Sequence, residues 1–420
     1  MADVLIAGAG PAGATLAIAL GRAGLAVELY DARRFPRDKP CGEGIMPAGV
    51  AVLERLGLRA AVGGRTLATV RYHGFGLDAE SGFPPAADGR APTMLAQRRL
   101  HLDAALVAAA RATPGVRLFE DAPVEGAALE RGRAVGLHVG GELRRGGLVV
   151  GADGIDSPVR RSLGLEQRPP AAARARVGVR MHFRLAAGQP GPDRLEIFVG
   201  RGVELYAAPL PGGELLLAAL GDKHALAGGA RAALERFAAA EPLLGGWLDG
   251  AEAITAPAGR APVTRRARAG FAPGAVLLGD AARATDPLTA GGIAHALATA
   301  ELLAAHVPRA LAEGDAWLAR FDRARRRMMR GHVWLTRALV FLAARPALAR
   351  ATLAGMRAAP RVMRALLDVA GGAHPAPGAL GDAAPQPAGL VSAAASSAVA
   401  LPASSATDQN ATLSQRAGSP

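Results

Sequence analysis

The six residues GAGPAG, from Gly8 to Gly13, constrain this chain more than any others. They follow directly on the short apolar run Asp3–Ala7, which reads as a buried strand, and they open a helix expected over Ala12–Ala23. Ala26–Tyr30 then reads as a second strand, so the segment has the length and order of a β-α-β unit. Each glycine has a physical task. Gly8 permits the tight turn, Gly10 lets backbone approach a pyrophosphate, and Gly13 lets helix and strand pack closely. The turn as a whole, with Pro11 and Ala12, is expected to hold phosphate at a helix N-terminus, where unpaired N–H groups and the helix dipole favour negative charge. Asp31 ends the second strand and is placed to accept ribose hydroxyls, with Ala32 and Arg33 beside it. These features predict dinucleotide binding without choosing the dinucleotide.

Composition narrows the field by exclusion. The net charge of +13 would suit a polyanion. Yet the chain shows no zinc spacing, no recognition-helix pattern and no basic-aromatic RNA signature, so nucleic acid is not the expected partner. Cys41 is the one cysteine, which rules out an intramolecular disulfide and a cysteine-based metal cluster. The opening MADVLIAGAG lacks a signal-peptide pattern and no apolar run is long enough to span a bilayer, so a cytoplasmic protein is expected.

Further along, Gln97–Ala110 reads as a helix and the stretch from Val116 to Val150 as hairpin strands ending in the buried run Leu148–Val150. Val177–Arg184, Arg194–Val199, Glu204–Pro209 and Glu214–Leu220 read as antiparallel strands of a second lobe. Gly274–Leu278 returns to a buried strand, Ile293–Leu311 reads as one long helix, and Trp317 to about Val369 as further helix. The fold expected is α/β and two-lobed, a Rossmann-like domain with an inserted antiparallel sheet domain and C-terminal helices. The nucleotide-binding domain takes residues 1–70, 97–165 and 256–310, the substrate domain 71–96 and 166–255, and a helical region 311–370. Residues 371–420 are rich in Ala, Pro and Ser and are expected to be disordered.

Two more motifs share the chain with the first. GADGIDSPVR runs from Gly151 to Arg160 after an apolar run, and LLGDAARATDPLTAGGIAHAL from Leu277 to Leu297. In this order and at these separations the three motifs resemble the p-hydroxybenzoate hydroxylase-type flavoprotein superfamily, over roughly residues 1–310. The resemblance implies FAD as the dinucleotide, with Asp153 and Gly154 near the cofactor and nicotinamide sites. It also implies an Arg99 contact with FAD, because Arg99, Leu102, Asp103 and Leu106 match the R-x-x-L-D-x-x-L helix of the family. From its place after Gly279, Asp280 is set to accept a hydrogen bond from ribityl hydroxyls. The loop through Pro287, Gly291 and Gly292 opens a helix at Ile293, whose N-terminus would stabilise negative charge on a reduced ring. The loop beginning FPRDKPCGEG at Phe35 resembles that of the geranylgeranyl reductase-like branch, where it approaches the flavin ring. Cys41 is then either a functional thiol near the flavin or a small buried hydrophobe. Gly42 and Gly44 would let backbone pass close to the ring.

For the chemistry, no second glycine fingerprint follows, so NADH or NADPH is expected to bind transiently as reductant. The leading expectation is NAD(P)H-dependent monooxygenation of a hydrophobic aromatic or polyketide-like molecule. The alternative is flavin-dependent reduction of isoprenoid double bonds, and a non-catalytic FAD-binding module is the remaining class. The reductase branch carries Y-x-W-x-F-P where this chain reads YAAPLP, with Tyr206 and Pro209 but neither Trp nor Phe; Tyr206 is the candidate substrate contact. The apolar stripe Trp317, Phe321, Ala324, Met328, Leu335 and Leu342 lies among many arginines. It fits either a helix packed on the core with a solvated basic face or one in peripheral contact with an anionic membrane.

Overall fold

The computed structural model describes residues 1–85, 89–167, 176–222, 226 and 228–372. The first strand, Ala2–Ala7, lies between Glu142–Gly151 and Val27–Tyr30, parallel to both, with Val4 opposite Leu148 on one side and Val27 on the other. Val116–Phe119 and Ala275–Leu277 extend this parallel core, and the hairpin strands Val124–Glu130 and Arg133–Val139 join its side. A strand paired on both edges and covered on both faces must be apolar throughout, which is why Val4, Leu5, Ile6 and Ala7 alternate with nothing polar. One face is covered by the helices Pro11–Arg22, Arg99–Ala112 and Gly292–Ala304 through Leu16, Leu20, Leu102, Leu106 and Leu297. Each such side chain contributes about 1.5–3 kcal/mol on burial.

The second sheet is largely antiparallel. Val177–Arg184, Glu214–Gly221, Val203–Pro209 and Leu195–Val199 pair in that order, and Leu195–Val199 then runs parallel to Thr69–Gly74. Its side chains alternate between two covers. Ile197, Tyr206, Leu216 and Ala218 face the C-terminal helices, while Met181, Phe198, Leu205 and Leu217 face Leu234, Leu244 and Trp247 of two small helices. A third sheet of three short strands, Gly44–Ile45, Met94–Ala96 and Arg65–Leu67, sits between the lobes' strands in sequence.

Several expectations shift. Thr69–Gly74 straddles the expected boundary at residue 70, and Ala258–Arg260, expected in the nucleotide-binding segment, pairs with Val177–Arg184 in the second sheet. Met94–Ala96, expected in the substrate segment, belongs to the small sheet with Gly44–Ile45. Strands of two or three residues carry too little periodicity to be read from sequence. Ile293–Leu311 is two helices, Gly292–Ala304 and Val307–Glu313, because Pro308 cannot donate the hydrogen bond that would continue the first. The helical stretch after Trp317 is three: Ala316–Ala343, Pro346–Ala358 and Pro360–Gly371, each break falling just before a proline. The tail expected to be disordered lies, from residue 373 on, outside the described residues. Among the described residues, no helix is long and apolar enough to cross a membrane.

Candidate functional site: a dinucleotide cleft and an apolar pocket

The three motifs converge at the C-terminal ends of the parallel strands. Gly8 has φ +96°, and a Cβ there would lie 2.5 Å from the Ala152 carbonyl oxygen, so the first motif touches the second. A Cβ on Gly279 would lie 3.1 Å from the Ala12 Cβ, which brings in the third. The helix Pro11–Arg22 starts at Gly10 with no side-chain cap, and a Cβ on Gly10 would meet nothing nearer than Arg37 Nη2 at 3.9 Å. Here is an uncapped helix N-terminus with room in front of it.

A chain of alternating charges lines that space. The Ala9 N–H donates to Asp31 Oδ2 at 2.9 Å, and Arg37 spans from Asp31 at 3.3 Å to the fully buried Asp103 at 3.0 Å. Both Nε and Nη2 of Arg99 donate to Asp103 at 2.8 Å. Burial opposes charge on Arg99, but Asp103 and Cys41 more than offset it and hold the guanidinium above its usual range. Burial, with Arg99 and Arg37 nearby, pulls the Lys39 ammonium below its usual range, and Asp280 opposes this. The Lys39 ammonium stands 3.3 Å from where a Cβ on Gly154 would be.

The Cys41 loop is clamped from the second sheet. Glu43 holds φ +56° and is buried; its Oε2 lies 2.8 Å from His182 Nε2, and its Oε1 accepts the Arg99 N–H at 3.1 Å. His182 is itself fixed by Thr255 Oγ1 at 3.2 Å, and Arg180 donates to Asp38 at 2.6 Å. Cys41, half-buried, accepts the Glu43 N–H on Sγ at 3.3 Å.

Beyond the loop Leu288–Ala290 opens an apolar pocket with an empty volume of about 940 Å³, solvent at its mouth included. Its floor is the second sheet, through Val70, Leu195 and Ile197, and its roof the C-terminal helices, through Leu339, Leu353 and Leu367. Polar groups gather at the end near Leu288. The Tyr206 hydroxyl donates to the Leu288 carbonyl at 3.0 Å, and Arg176 Nε lies 2.8 Å from Asp286 while its Nη2 holds Glu204. Burial pushes the Glu204 and Asp286 carboxyls up, and Arg176 restrains both shifts.

A model of an FAD binding domain matches residues 1–188. Residues 1–188 are thus an FAD-binding domain, and the protein is an FAD-dependent oxidoreductase. This flavoprotein is 43% identical over 100 residues to a menaquinone reductase of Mycolicibacterium smegmatis, covering 22% of this chain and 24% of that one. The matched stretch thus spans about a quarter of that relative's length. A digeranylgeranylglycerophospholipid reductase of Methanopyrus kandleri is 27% identical over 326 residues, 74% of this chain and 82% of the relative. A kynurenine 3-monooxygenase of Salinispora arenicola is 29% identical over 355 residues, 77% and 76% of the two chains. In fold, a geranylgeranyl bacteriochlorophyll reductase-like protein from Thermoplasma acidophilum superposes with a TM-score of 0.72 at 19% identity, covering 88% of this chain and 99% of that one.

The residues present fit FAD. The glycine cradle leaves space that a Cβ at Gly10 would enter, the buried Asp153 Oδ1 has no protein partner, and a second uncapped helix N-terminus stands at Gly291. Gly8, Gly10 and Gly13 with Arg37 and Lys39 would hold the phosphates, and Gly42, Asp280, Gly292 and Ile293 the flavin end. Bound there, FAD supplies hydride and oxygen chemistry that side chains lack. The protein's own part is to set the cleft's charge and position the Cys41 loop.

The structure gives some expected residues other partners. Asp31 accepts from Ala9 and from the Arg33 N–H at 3.0 Å, so it braces the glycine turn, while the Ala32 and Arg33 side chains are exposed. Arg99 is spent on Asp103 and adjoins Cys41. Asp153 Oδ2 accepts the Val159 N–H at 3.0 Å, stabilising its own turn. Pro287 begins a short turn that Asp286 caps, and Gly291 is required because a Cβ would overlap the His332 ring at 2.1 Å. Tyr206 lines the pocket. Sequence reading missed Arg37, Lys39, Glu43, His182, Arg176 and Glu204. The first three lie inside the quoted Cys41 loop and were open to notice; the others meet the site only through folding.

Proposed function

We propose that this flavoprotein is an FAD-dependent oxidoreductase that reduces carbon–carbon double bonds in the prenyl chain of a lipid-like substrate, with NADH or NADPH as reductant. The pocket carries this reading. It is lined mainly by Leu, Val, Ile and Met, with few polar groups, among them Tyr206, whose hydroxyl is hydrogen-bonded to the Leu288 carbonyl. A flexible aliphatic chain satisfies such walls; a polyketide bearing many hydroxyl and keto groups would leave them unpaired. The pocket therefore reverses the order of preference drawn from the sequence. The names of the relatives that match, a menaquinone reductase and a digeranylgeranylglycerophospholipid reductase, support the same class. The net reaction adds a hydride and a proton across the alkene and leaves oxidised nicotinamide.

Monooxygenation stays as the second reading, favoured by the missing Trp and Phe after Tyr206 and by the monooxygenase relative. One assay separates them. The purified holoprotein is incubated with NADPH or NADH and a geranylgeranyl lipid, without and with oxygen, and products are weighed by mass spectrometry. Gain of two hydrogens in the absence of oxygen supports reduction. Gain of one oxygen atom, only in air, overturns it.

A further inference from the structure

We infer that the outer face of the three C-terminal helices docks this protein on an anionic lipid bilayer. Large apolar side chains belong in the interior, yet on these helices Trp334 is 70% exposed, Phe341 54% and Val362 52%, with Leu348 and Val369 also at the surface. Their placement is ordered. On Ala316–Ala343, the residues Arg323, Arg327, Arg330, Trp334, Arg337 and Phe341 are all exposed and follow one another at alternating steps of four and three. That spacing draws a single stripe down one helix face. The opposite face, with Leu318, Phe321, Met329 and Leu335, is buried, so packing on the core and an apolar-basic outer stripe coexist on one helix. Val369 of the last helix comes within 3.6 Å of where a Cβ on Gly331 would lie, which places it beside the same stripe.

Charge selects the occupant. From Ala316 to Gly372 the chain carries twelve arginines against two acids, Asp322 and Asp368. Asp322 is buried and already paired with Arg325 and Arg326, and Asp368 is half-buried. Arg345 stacks over Phe341 at 3.7 Å, the arrangement expected where cation and aromatic ring share an interface. Arginines interleaved with Trp and Phe match a phosphate-bearing surface above an acyl layer, where an aromatic sits at headgroup depth. The inner sides of these same helices roof the apolar pocket, so a lipid substrate held in the bilayer would lie close to the wall it must pass. Vesicle binding is read without turnover and stands or falls independently of the reduction chemistry proposed above.

The test is flotation of the full-length holoprotein with vesicles of phosphatidylcholine alone or mixed with phosphatidylglycerol. Flavin absorbance and melting temperature certify the fold of every variant. The protein is expected to float with the anionic vesicles, to be released by salt, and to show a blue shift of tryptophan emission that Trp334→Phe abolishes. Replacing Trp334 and Phe341 together by Ser is expected to weaken binding by about ten-fold or more. Neutralising Arg330 or Arg337 as Gln is expected to cost roughly five-fold each at low salt. Equal flotation with neutral vesicles, no flotation, or unchanged binding by the Ser pair overturns the proposal. So does a stable homodimer that the Ser pair converts to monomer, since a second copy would then own the face.

Discussion

Two glycines three positions apart, Gly10 and Gly13, separate the fold from the cofactor site. A Cβ on Gly13 would sit 1.9 Å from the Gly8 carbonyl oxygen and 3.2 Å from Ile6 Cγ2, both part of the first strand and its turn. Neither neighbour is a flexible side-chain tip, so Gly13→Ala must push the helix Pro11–Arg22 off the sheet. Overpacking of this kind costs about 1–3 kcal/mol, and the helix propensity gained by Ala returns only about 1. Gly10 differs. Its φ of −69° and ψ of −175° suit any residue, and the added methyl meets no atom closer than 3.9 Å. Gly10→Ala is therefore expected to leave the melting temperature of flavin-free protein unchanged, while its methyl enters the space held for the pyrophosphate and weakens FAD binding by about 100-fold, or roughly 2.7 kcal/mol. Gly13→Ala lowers both. Differential scanning fluorimetry of flavin-free protein and titration with FAD, followed by flavin fluorescence, read the two effects separately. Wild-type FAD affinity in Gly10→Ala would refute the placement of the cofactor at this turn.

The remaining predictions concern charge and the pocket. Removing Lys39 as Met is expected to weaken FAD binding while leaving flavin-free protein at least as stable, because burial already disfavours its ammonium. A lysine pKa lowered by folding means the unfolded chain binds more protons, so its contribution makes stability rise with pH up to the usual lysine range, and Lys39→Met should flatten that slope in pH-resolved melting curves. Arg176→Met leaves Glu204 and Asp286 buried without their cation and should cost about 3–5 kcal/mol. Burial raises both carboxyl pKa values, so the fold binds more protons than the unfolded chain and loses stability as pH rises through that interval; the variant's melting deficit should be larger at about pH 7 than at about pH 5, and an equal deficit would count against it. Leu339→Trp fills the pocket from its roof and is expected to keep FAD content and melting temperature while reducing turnover of a prenyl lipid about ten-fold or more, measured by product mass. Unchanged turnover would remove the pocket from the reaction.

Local chemistry decided the first layer of this protein. The run Asp3–Ala7, the glycine turn and the helix behind it are legible because a strand paired on both edges must be apolar, and because the tight strand-to-helix turn rejects a Cβ at Gly8 and Gly13. Val177–Arg184 was readable to the residue, since strand periodicity survives where eight residues express it. The cofactor class followed from the family that three such local signals, taken in order, resemble. What lies between them did not. His182 faces Glu43 across 139 positions of sequence, and Arg176 reaches both Glu204 and Asp286. No periodicity encodes such pairs, because they form only when two sheets and a loop are brought together, and burial then makes each partner indispensable to the other. The pocket is the clearest case. Its floor and roof are amphipathic strands and helices that the sequence presents as ordinary core, and only their packing left an apolar space between them. The sequence determined that a dinucleotide is held, and by which turn; tertiary structure decided what kind of molecule can lie beside it.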